Sequence, residues 1–304
     1  MAQDNWLATG LGTFTASGDW SLGTVPTALD DAFIGTSGAI VGSGFNQTVN
    51  SISTGTNSDV LLINGASVST TENGGTNSGT ITVDDGSSFV VGAGTLFNPG
   101  TVQLNSVNNA TKFEASGAVT LDGGGTVAMS PVLNVITGFN LSSQINNKNN
   151  DIAGSAIIGA VFFDNQTNGI LETNSSFGTG VMSITGVGGF QNEGHMFADD
   201  GGTLLLGSDG LSEHIFNFGL IEALGNTTTT KIEVAGNLTI SGNGRISLDG
   251  NNPSLDEIVS DGKPATLTLD GGYAHWWSRS NDRRHKPSAE HQCGHARDCG
   301  RWYR

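Results

Sequence analysis

Chemistry in this chain would have to come from a few scattered groups. Aspartates adjoin at Asp30-Asp31, Asp84-Asp85 and Asp199-Asp200. General acid–base work needs carboxylates converging on one substrate. Neighbours on a strand point to opposite faces, so none of these pairs is itself a dyad. Each reads as a solvated corner, with weak divalent-cation binding as the functional alternative. Before residue 273 the histidines are His195 and His214, and no Ser/His/Asp arrangement stands out among so many serines. His195 falls inside a repeated phrase, where a strand-surface role fits. Gly123-Gly124-Gly125 lacks the following helix and the Lys-Ser/Thr of a phosphate-cradling loop, and reads as a corner. Near the end, His291, Cys293, His295 and Cys299 are spaced His-x-Cys-x-His-x3-Cys, which is not a common paired zinc-ligand spacing. Asn-x-Ser/Thr occurs at Asn46, Asn109, Asn140, Asn165, Asn174, Asn226 and Asn237; so much Asn, Ser and Thr produces sequons by composition alone. The expectation is a chain that is not an enzyme, with no catalytic residue, no cofactor and no metal.

The elements that would carry these residues are strands. Glycine makes up 46 of 304 residues, about twice the usual share, without the three-residue period of collagen. Heptads are missing, and no apolar run approaches the roughly 18–20 residues of a membrane-spanning helix. The net charge of −16 argues against a nucleic-acid phosphate surface.

A phrase recurs in which a polar residue or Asn precedes Gly and then alternating apolar positions, as in Asn77-Ser-Gly79-Thr-Ile81-Thr-Val83 and Asn217-Phe-Gly219-Leu-Ile221. Its glycines stand at 79, 100, 125, 169, 194, 219 and 244, at intervals of 21, 25, 44, 25, 25 and 25. Alternation sends every second side chain inward. Gly, Asn and Asp-Gly pairs punctuate the strands because they accept positive φ at corners. One such unit cannot bury its apolar side alone, but stacked units can. The pattern therefore predicts an all-β fold: a single-stranded right-handed parallel β-helix with about 25 residues per coil and ten or eleven coils. The 44-residue interval is nearly two periods, and the Asn-rich stretch 146–150 within it reads as a loop extension. At ~4.8 Å per coil the solenoid would be about 50 Å long.

Composition breaks near residue 273. Residues 1–272 hold 25 acidic and 5 basic groups, whereas residues 273–304 hold 3 and 7, with both cysteines and both tyrosines. The tail reads as a basic appendage for an acidic partner, a metal-holding segment, or an out-of-frame segment; loss of the repeat favours the last. The expected division is an N-terminal capping module over 1–40, β-helix repeats over 41–272 and an irregular tail over 273–304. In the first part Trp6, Phe14 and Trp20 suit the cover of an open first coil, whose unpaired backbone is a pairing hazard; the alternative is an aromatic carbohydrate platform.

Residues 6–34 contain Trp6, Gly10, Gly12, Gly18-Asp-Trp20, Gly23-Thr-Val25-Pro26 and Asp30-Asp-Ala-Phe-Ile34. This segment resembles the opening module of bacterial autotransporter passenger domains and related β-strand-repeat surface exoproteins, and the later Asn-x-Gly-x-Ile phrases are similar to theirs. The resemblance spans about residues 6–272 and implies a fragment of an exported protein, extracellular or outer-membrane-associated. No signal peptide or membrane-barrel domain is visible in this sequence. It implies an adhesin or rigid spacer whose partners are host-cell, matrix or glycan surfaces, with self-association possible. Two alternatives remain open: a polysaccharide-acting β-helix enzyme, for which a face with three or more carboxylates and a cation would speak, and a self-assembling layer or fibre protein.

Overall fold

The computed structural model describes residues 2–35, 39–55, 60–140, 142–177, 180–252 and 255–270. The 273–304 tail, with its candidate metal ligands and both cysteines, lies outside them. The chain winds as a parallel β-solenoid. Each complete coil lays one strand in each of three parallel sheets, and among the described residues there is no α-helix and no helix long and apolar enough to cross a membrane.

Among the described residues the first sheet stacks eleven strands, from Leu11–Thr13 through Thr80–Asp84, His195–Asp199 and Leu220–Leu224 to Arg245–Leu248. Their register pairs Leu11, Ile40, Val60, Thr80, Thr101, Thr126, Asp151, Ile170, His195, Leu220 and Arg245 in turn. Successive coils are thus 29, 20, 20, 21, 25, 25, 19, 25, 25 and 25 residues long. The second sheet runs from Gln47–Val49 to Asp256–Ser260, and the third from Ala2–Asn5 to Thr266–Asp270. Residues 2–35 form the first lap of the same solenoid, since Ala2–Asn5 pairs with Asp30–Ile34 and Leu11–Thr13 with Ile40–Ser43.

Alternation explains the interior. In the first sheet Val41, Leu61, Ile81, Val102, Val127, Ile152, Leu171, Met196, Ile221 and Ile246 share one register position, all at most 8 % exposed. Each such aliphatic side chain contributes roughly 1.5–3 kcal/mol when fully buried. Phe89 and Phe113 meet edge to face in the second sheet, and Phe163 stacks flat on Phe190 in the third, with centroids 5.4 Å apart. At the start Trp6, Phe14 and Trp20 are at most 1 % exposed and lock edge to face, with Trp20 Nε1 donating to the Phe14 carbonyl at 2.7 Å. Their rings plug the first lap and offer no open face to a sugar.

The repeated phrase marks one corner, from the third sheet into the first, and a buried carboxamide fills it. Thr54 Oγ1 donates to Asn77 Oδ1, Asn77 Nδ2 to Asn98 Oδ1 (both 2.7 Å) and Asn98 Nδ2 to Asn150 Oδ1 (2.9 Å). The chain resumes from Asn147 Nδ2 to Asn165 Oδ1, Asn165 Nδ2 to Asn192 Oδ1 and Asn192 Nδ2 to Asn217 Oδ1, at 3.0, 2.9 and 2.8 Å. The 44-residue interval is therefore one coil of 25 and one of 19. Residues 146–150 are not a loop extension. Gln144–Asn147 is a strand, and Asn150 reaches across the intervening coil, whose Gly123 presents no side chain to the ladder.

The phrase glycines also differ from expectation. None adopts positive φ; a β-carbon on Gly100, Gly194 or Gly219 would strike the carbonyl oxygen of the phrase glycine one coil below. Left-handed backbone belongs instead to Asp-Gly corners such as Gly86 and Gly201. Gly219→Ala should accordingly cost about 2 kcal/mol through overpacking. Chemical denaturation checks it, against Gly44→Ala, where nothing lies near the added atom.

Candidate functional surface

Two of the Asp-Asp pairs straddle a strand end, with Asp85 and Asp200 in the corner, but Asp30 and Asp31 are not the corner expected: they open the strand Asp30–Ile34. Asp30 Oδ2 accepts from Thr27 N and Oγ1, and Asp31 Oδ1 from Asn50 Nδ2 and Ser51 Oγ. Asp85 Oδ1 receives the backbone N–H groups of Val107, Asn108 and Asn109, each at 2.8 Å, which hold its carboxyl well below the usual range. Asp200 Oδ1 does the same five coils further along, with Thr227 N–H first and Asn226 second in lowering it. Gly123 and Gly124 adopt positive φ at a corner and no helix follows. Of the sequon asparagines, Asn165 is fully buried in the carboxamide ladder. Among the described residues no group of three His, Cys, Asp or Glu is placed to hold a metal ion.

Winding brings together residues that lie far apart in sequence. On the outer face of the first sheet the register sets Glu172, Phe197 and Glu222 side by side on adjacent strands. His195 and Asp199 flank Phe197, and Asp151 lies one strand before Glu172. His195 Nε2 and Glu222 Oε2 are 3.0 Å apart, and the His195 and Phe197 rings lie 4.6 Å apart. Burial pushes the Glu172 carboxyl up; Asp151 and then Asp199 add repulsion, against an opposing pull from His195. Burial alone raises Asp151. Four carboxylates and an imidazole on one strip form a protonatable surface in which two carboxyls, Glu172 and Asp151, are raised above their ordinary values. His195 is the strand-surface residue expected. Glu172, Phe197 and Glu222 were missed, although each stands three residues after a phrase glycine, at 169, 194 and 219. Superposing the phrases at their 25-residue phase would have aligned them. No family model matches the chain, and neither a curated protein nor a solved structure matches it.

These environments set the pH dependence. Asp151, Glu172, Asp164 and Asp256 are raised, chiefly by burial. Their ionised forms weaken the fold at neutral pH, and that penalty is relieved as pH falls through their folded values. Asp85, Asp200 and Asp122, the last held foremost by Lys148, are lowered. Their stabilisation is present above the ordinary carboxylate value of 3.8 and disappears as pH falls below it. Thermal unfolding followed by circular dichroism should therefore give a Tm that rises from neutral into mildly acid solution and drops below about pH 4. A steady fall from pH 7 downwards would contradict these assignments.

Proposed function

We propose that this chain is a segment of a large exported surface protein, resembling autotransporter passengers, in which the solenoid is a stiff spacer with adhesive outer faces. The supporting observation is the continuous interior: a carboxamide ladder from Thr54 to Asn217, joined at Asn147 and Asn150 through backbone hydrogen bonds, beside an apolar column through ten successive strands of the first sheet. Such a column resists bending without disulfides. The acidic, hydroxyl-rich exterior favours solubility over edge-to-edge association. Spin labels at Leu11→Cys and Arg245→Cys, with Cys293 and Cys299 replaced by serine, test the stiffness. Ten inter-strand steps predict a narrow separation near 48 Å, and a broad distribution would remove the spacer role. Adhesion is tested by binding of the immobilised chain to cells and matrix; without it only the spacer role stands.

The strip of Asp151, Glu172, Glu222 and His195 favours a second reading, action on a polysaccharide, with Glu172 as proton donor. Release of reducing ends by the wild-type chain, abolished in Glu172→Gln, would support it. No release from neutral or acidic polysaccharides would dismiss it.

A further inference from the structure

Near the N-terminal end the third sheet thins. Its strand Gly75–Thr76 is two residues long, and one isolated bridge, Thr54 to Asn77, links it to Ser51–Thr54. The outer face at this point is an open depression of about 470 Å³ lined by Gln3, Asp31, Phe33, Ser51, Ser53 and Ser78, among others. The register explains the lining: Gln3, Asp31 and Ser51 form one row across three strands, and Asn5, Phe33 and Ser53 the next. Among the described residues Phe33 is the one aromatic side chain in the lining, and its neighbours there are serine, threonine, glycine, alanine, glutamine and aspartate. Its ring lies over Gly35, where any β-carbon would meet it.

We propose that this depression is a binding site for a neutral hexopyranose oligosaccharide. The Phe33 ring supplies an apolar platform for the C–H face of one sugar ring, and the surrounding groups match sugar hydroxyls. Ser53 and Ser78 both donate and accept, the Gln3 amide does the same, and Asp31 and Ser51, whose one proton goes to Asp31, accept. Asp31 is already aimed, because Asn50 Nδ2 and Ser51 Oγ both donate to its Oδ1 at 2.7 Å, and no group among the described residues donates to Oδ2. Small clefts with an apolar wall and a few convergent polar groups are the usual form of such sites. Charge selects among sugars. Among the described residues no Lys or Arg lines the depression and one carboxylate does, so uronates and phosphorylated sugars are disfavoured. A single carboxylate is likewise too few for a divalent cation, which takes six to eight oxygen ligands when it is calcium.

The inference deepens the adhesive half of the proposed function and is independent of the spacer half. The test titrates the full chain with cellohexaose, chitohexaose and maltohexaose, with hexagalacturonate as the acidic control. Saturable binding of at least one neutral hexasaccharide, with Kd below about 1 mM, and none of hexagalacturonate, is expected. Phe33→Ala should weaken it at least about tenfold, an aromatic platform's worth, while Phe33→Tyr retains it. Gln3→Ala, at an exposed position, should weaken it about threefold, and Ser78→Tyr should block it by filling the depression; both decide the matter if Phe33→Ala does not fold. Absence of binding by any neutral probe, preference for hexagalacturonate, or binding indifferent to these variants overturns the site. Narrow label distances without sugar binding would sink the site and leave the spacer; sugar binding with broad distances would do the reverse.

Discussion

Phe163→Ala should lower stability by about 4 kcal/mol, at the upper end for a single side chain in this fold. Phe163 is fully buried in a column whose register runs Ile145, Phe163, Phe190, Ile215, and its ring lies parallel to that of Phe190. Truncation removes the transfer energy of the ring and opens a void between two rigid laps. Neither lap can close it, because each is held in register by parallel ladders on all three sides. Phe163→Leu keeps most of the volume and should cost about 1.5 kcal/mol. Urea titration measures both. Amide exchange should quicken first in strands Gln144–Asn147, Phe162–Asn165 and Phe190–Asn192, since each lap contacts chiefly its neighbours. An alanine variant within 1 kcal/mol of wild type would mean that the interior is far less tightly packed than described.

Asn165→Ala should cost about 3 kcal/mol, although it removes no apolar contact of consequence. The Asn165 carboxamide accepts from Asn147 Nδ2 and donates to Asn192 Oδ1, with longer bonds to the carbonyls of Gly169 and His195 at 3.2 and 3.4 Å. Alanine leaves the Asn192 carboxamide oxygen and these carbonyls without that donor in a site where Asn165 itself has no exposed surface. A buried acceptor stripped of its donor loses its compensation for desolvation. Asn165→Asp is no remedy, because an oxygen replaces the donating nitrogen and brings a charge. Asn237→Ala, at an exposed strand position, provides the control and should change stability by less than about 0.5 kcal/mol. Equal effects of the two would show that the ladder contributes nothing particular.

The contrast between these two residues explains what could be read in the amino-acid order. From Gly75–Thr76 onward the corner that carries Asn165 and Gly169 takes only three to five residues, so its Asn and Gly recur at nearly constant phase and disclosed the solenoid. In the first three laps the same corner takes six, from Asn5 to Leu11, Ile34 to Ile40 and Thr54 to Val60. The other two corners vary. From the first sheet to the second the chain takes four residues to go from Asp84 to Ser88 but six from Leu224 to Thr230. Positions such as Ile145 consequently lose phase with the phrase. Asn147 and Asn150 were misread because Asn150 serves a coil other than its own, which no local pattern announces. The glycines were located correctly for the wrong reason: positive φ is a property of one residue's backbone, whereas the stacking clash arises only once a second lap exists. Glu172, Phe197 and Glu222 become neighbours by winding, and composition alone cannot suggest that.

The difference between the corners has a consequence for how such a chain can change. The corner from Asn192 to Gly194 is fixed by a buried carboxamide below Asn217 and by the carbonyl of Gly169, although Asn165 keeps its place in the ladder with two more residues before Gly169. Added segments near Thr227 would project outwards, where the chain already makes room for a surface turn held by Asp200. One long edge of the prism is thus the most constrained beyond Gly75–Thr76, where it takes only three to five residues, while the other two are more open to grafted peptides. A library of foreign epitopes displayed from those two edges should leave the shaft unaltered.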